Sequence, residues 1–81
     1  MKIPAIKKLI EAGYTLEMLD EAELSIINEQ ELEIEIEGDD DGEQLTHLFA
    51  AKWIIEDMQA SGSDFKTSLR NYTLKVRNSI S

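Results

Sequence analysis

The sequence predicts a small, mainly α (α+β) domain with the element order helix, helix, strand, helix, helix. Three observations predict it. Residues 43–60, EQLTHLFAAKWIIEDMQA, form the one stretch long and apolar enough to centre a small protein. Segments on both sides repeat apolar residues at helical spacing, and residues 31–37, ELEIEIE, alternate apolar and acidic residues without a break.

In chain order, Pro4 suits the first turn of a helix, where its missing N–H is not needed. Ile3, Ile6, Leu9 and Ile10 share one face, Lys7 and Lys8 lie outside it, and Gly13 supplies a left-handed stop. Thr15 then caps a second helix, with Tyr14 and Leu19 placed as a hydrophobic staple. Leu16, Leu19, Ala22 and Ile26 give its buried stripe, Asp20, Glu21 and Glu23 face out, and Asn28 closes it.

In residues 31–37, Leu32, Ile34 and Ile36 fall on one side and Glu31, Glu33, Glu35 and Glu37 on the other. A period of two is a strand signal, yet a strand cannot satisfy its backbone alone. Three partners are open: the same strand of a second copy about a two-fold axis, residues 72–77 (YTLKVR), or a strand of another protein. The homodimer is the reading preferred here.

Residues 38–42, GDDDG, then feed the central helix, with Asp40 and Glu43, or Asp41 and Gln44, spaced as a capping box. Along that helix Leu48, Ala51, Ile55 and Met58 form one stripe, Phe49 and Trp53 another, and Lys52 can pair with Glu56 across a narrow polar strip. A helix apolar nearly all round is buried on more than one side, and a second copy is a source of part of that cover. Gly62 stops it. The last segment has Ser63 as a candidate cap and Phe65, Leu69, Tyr72, Val76 and Ile80 on one face, which favours helix over strand.

The chain of 81 residues reads as a single domain, 1–81, with no cysteine, which excludes disulfides and thiolate chemistry. The opening MKIPAIKKLIEAG is not expected to be a signal peptide, and no run approaches a membrane span, so the expected address is the cytoplasm without membrane contact. A net charge of −9 argues against binding nucleic acid. From Glu11 to Glu43 there are 14 acidic residues and no lysine or arginine, so the basic ends can close over the acidic middle or leave it for a basic partner.

Candidate chemistry is sparse. Glu37, Asp39, Asp41 and Gly42 fit the first positions of a calcium loop, but Leu48 stands where a bidentate glutamate is required. Glu43 and His47, one turn apart, are candidate metal ligands without the second histidine that a bundle site needs. The strand glutamates share one solvated face, which does not suit paired acid and base work, and no phosphate loop is present. No cofactor and no catalytic residue is expected.

The stretches MKIPAIKKLIE, GEQLTH (residues 42–47) and RNYTLKVRNSIS (residues 70–81) resemble a family of small uncharacterised bacterial proteins of about this length. The resemblance covers the whole chain and implies no activity. The functional expectation is therefore a non-catalytic homodimeric interaction module. Glu31, Glu33, Glu35, Glu37, Asp39, Asp40 and Asp41 would meet a partner, with Ile34, Ile36, Phe49 and Trp53 at the dimer interface or in the core. The alternatives are an acidic nucleic-acid mimic that inhibits a basic protein, and a metal-dependent enzyme using His47 and nearby carboxylates.

Overall fold

The computed structural model describes residues 2–80. They form four helices: α1 (Ile3–Glu11), α2 (Leu16–Ile27), α3 (Asp41–Ser61) and α4 (Phe65–Ile80). Among the described residues there is no strand, which corrects the expected order; ELEIEIE is an irregular, extended connection between α2 and α3. Residues 72–77 lie inside α4 and are not available for a ladder. The connection bends at Glu33 and Ile34, and side chains rather than a neighbouring strand take two of its carbonyls. The alternation survives as sidedness: Ile36 is buried, Leu32 and Ile34 are half-buried, and the four glutamates are exposed.

Capping sets the helix limits. Thr15 accepts the Met18 N–H at 3.1 Å, and Asp40 accepts that of Glu43 at 2.7 Å, which selects one of the two boxes open in the sequence. Asp64, not Ser63, caps α4 by accepting the Thr67 N–H at 2.8 Å, and this bond holds its carboxyl below the usual aspartate range. Gly13 and Gly62 are left-handed as expected, with φ of 79° and 71°. At the end of α2 the left-handed residue is Glu29 (φ 56°), one beyond Asn28. The Glu29 N–H bonds to the Ile26 carbonyl and the Gln30 N–H to that of Ser25, which makes a Schellman closure.

Helix α3 is the centre. The backbones of α1, α2 and α4 each approach it, and none of the three approaches another. Fully buried Ala50 and Ala51 present little bulk, which lets neighbours come close. Ile6, Leu19, Leu48 and Ile54 are also fully buried, each worth about 1.5–3 kcal/mol of apolar transfer. Trp53 meets Tyr72 of α4 at 5.6 Å between ring centroids, and burial raises the Tyr72 phenol pKa. Lys52 turns away from Glu56 to pair with Asp20 and Glu23 of α2. The cover predicted for this helix thus comes from its own chain, leaving one strip with Phe49 (48 % exposed) and Glu56 open. Ile3, expected on the buried face of α1, is also 48 % exposed. Ile80 ends α4, and its side chain lies outside the described residues.

Candidate functional site

The acidic connection is strapped to the helices at its C-terminal half. Gly38 permits the approach: a Cβ there would lie 2.7 Å from Gln44 Cγ and 2.9 Å from the Gln44 backbone nitrogen. Gln44 Nε2 donates to the Ile36 carbonyl at 3.1 Å. One turn on, fully buried His47 uses both ring nitrogens. Nε2 accepts the Lys2 N–H at 2.9 Å, so the ring proton sits on Nδ1 and is donated to the Glu37 carbonyl at 2.7 Å. A single side chain on α3 thereby holds the start of α1 and the acidic connection together.

The N-terminal lysines close over the same half. Lys8 reaches Glu37 at 3.3 Å and Glu35 at 3.8 Å, and the Glu37 bond, then the nearby Glu35 charge, raise its pKa. Lys2 lies 3.7 Å from Glu43 and 4.0 Å from Asp39. Asp40 is spent on the helix cap and Asp41 begins α3. Of the seven acidic residues expected to meet a partner, Glu35, Glu37, Asp39 and Asp40 are thus engaged internally. Among the described residues no basic side chain lies within ion-pair distance of Glu31 or Glu33.

The free half of the connection forms a groove with α2. Its volume is about 350 Å³, with Met18, Ala22, Leu24 and Ile34 supplying the apolar lining, Glu21 and Glu33 the charge, and Ser25, Asn28 and Gln30 neutral polar groups. Leu24 and Met18 are 57 % and 39 % exposed, more than their α2 positions need for packing. Glu21, like Glu33, has no basic partner within ion-pair distance among the described residues.

Of the residues singled out from sequence, Ile36 is in the core, Ile34 lines the groove, Trp53 packs on α4 and Phe49 stands open to solvent. The metal candidates do not converge: both His47 nitrogens are occupied and Glu43 faces Lys2. No cluster of three metal-ligating side chains occurs among the described residues. Sequence reading missed the groove floor on α2, because Met18 and Leu24 fall outside the core stripe and carry no motif. No described helix is long and apolar enough to cross a membrane.

No curated protein and no solved structure matches the chain. A family model does, over residues 1–81, in agreement with the resemblance drawn from its two ends and its centre. The chain belongs to the family of unknown function DUF6952.

Proposed function

We propose that the protein is a non-catalytic interaction module whose α2 groove takes a basic, amphipathic helical segment. The observation that carries this reading is the pairing of an apolar lining with acid left unneutralised. Met18, Leu24 and Ile34 offer a seat for an aliphatic anchor, and Glu21 and Glu33 stand at it without a cation within ion-pair distance among the described residues. Helix-in-groove recognition needs those two parts: apolar anchors for affinity and flanking charge for orientation. The strand-paired dimer loses its support with the strand. A row of carboxylates imitating phosphates loses its continuity too, because Lys8 and Lys2 neutralise the connection from Glu35 onward.

The test is an amide-shift titration with a synthetic helix of leucine and lysine, beside a control in which glutamine replaces lysine. Shifts are expected at Met18, Leu24, Ser25 and Ile34. Joint Glu21→Lys and Glu33→Lys replacement is expected to weaken binding about tenfold, since each exposed pair is worth up to about 1 kcal/mol and reversal makes it repulsive. Equal binding of the glutamine control, or shifts confined to other helices, would refute the reading.

A further inference from the structure

The structure carries its own candidate for that occupant. Helix α4 (Phe65–Ile80) contains Lys66, Arg70, Lys75 and Arg77 and no acidic residue. Its inward face is Phe65, Ser68, Leu69, Tyr72 and Val76, which turns Lys66, Arg70, Leu74 and Arg77 to the opposite side, where all four are exposed. Leu74, 47 % exposed, sits between Arg70 and Arg77 as an aliphatic anchor set in a cationic stripe. None of Lys66, Arg70 and Arg77 has a carboxylate within ion-pair distance among the described residues.

The stripe cannot reach the groove of its own chain. Helix α4 approaches only α3, and α2 approaches α3 separately, so both surfaces are held on one rigid hub without meeting. Their lengths agree. From Lys66 to Arg77 the helix rises about 16 Å, and from Met18 to Asn28 the wall of the groove rises about 15 Å. Resting on the groove reading above, we infer that the occupant is α4 of a second copy: Leu74 enters among Met18, Leu24 and Ile34, and Arg70 and Arg77 face Glu21 and Glu33.

Each chain has a net charge of −9, which opposes association at long range. At about 0.15 M salt the screening length is about 8 Å, so the charges facing each other across the contact decide the outcome. Because stripe and groove are different patches, the contact is head-to-tail. A stripe one helix wide covers less than a standard interface, so association is weak and needs high concentration.

The experiment measures mass in solution from about 10 μM to 1 mM, a range chosen for a contact this small. Wild-type protein is expected to rise from the one-chain mass of 9.2 kDa toward two chains or more. Arg70→Glu with Arg77→Glu should stay at one chain, as should Glu21→Lys with Glu33→Lys, each with an unchanged helical circular-dichroism spectrum. An equimolar mixture of the two variants should associate again, because the intact Arg70 and Arg77 of one variant meet the intact Glu21 and Glu33 of the other, and the reversed charges complement each other as well. Wild type remaining at one chain at the highest concentration overturns the proposal, as does a mixture that stays apart. If the leucine and lysine peptide still binds the groove in that case, the groove reading stands and only the second-copy occupant falls.

Discussion

Replacing His47 with phenylalanine is expected to cost about 2–4 kcal/mol. Phenylalanine fills the ring volume, so the cavity term is small and the loss is polar. Two hydrogen bonds, at 2.9 Å from Lys2 and 2.7 Å to Glu37, disappear. Each is worth about 0.5–1.5 kcal/mol net, and a group stranded away from water adds about 1 kcal/mol or more. A chain of this length has about 4–12 kcal/mol in all, so the variant gives up a large share. Its melting midpoint should fall by about 10–20 °C, read by circular dichroism. The loss is also local: released at Glu37, the strapped half of the connection should be cut faster by a glutamate-specific protease at Glu35 and Glu37. His47→Asn, whose amide nitrogen reaches the place of Nδ1, should retain the Glu37 bond and keep the connection resistant to the protease, while the missing ring leaves a cavity that costs stability. A His47→Phe protein that melts within about 2 °C of wild type and resists the protease equally would refute the strap.

Lys52→Met should cost about 1 kcal/mol at pH 7, because Lys52 joins α3 to Asp20 and, at 3.6 Å, to Glu23 of α2. The Asp20 bond raises the Lys52 pKa above 10.5. A raised lysine stabilises fully below its unfolded value and loses this effect as pH climbs through the folded value, so urea midpoints of the two proteins should converge only at a pH above the ordinary lysine range. Glu29→Gly should raise stability by about 0.5–1 kcal/mol in the same melts, since glycine accepts the left-handed φ of 56° without the steric cost of a side chain. Ser68→Ala should be stabilising by about 0.5–1.5 kcal/mol: Ser68 is fully buried and its hydroxyl has no hydrogen-bond partner. A clear loss in either of the last two melts would contradict the local geometry.

The helices were legible because caps and periodicity are local signals. Pro4, Thr15, Asp40 and Gly62 mark ends that the backbone respects, and the apolar residues of α3 correctly announced neighbours on several sides. The connection misled for a physical reason. Alternation in ELEIEIE reports that one side is covered, and covering needs only α3 and α2 beneath Ile36 and Ile34, not a ladder beside the backbone. The role of His47 had no signal at all, since its partners are the backbone atoms of Lys2 and Glu37, whose identities a sequence pattern does not constrain. Lys52 likewise had a plausible local partner in Glu56, and the tertiary partners on α2 won.

The hub arrangement of α3 bears on how the molecule tolerates change. Because the backbones of α1, α2 and α4 approach α3 and not one another, replacements on the outward faces of two of them lie apart, and their energetic effects should add in double-mutant cycles. The outer face of α4 and the groove on α2 can therefore change in sequence without unfolding the chain. Either surface can change while the central helix stays fixed.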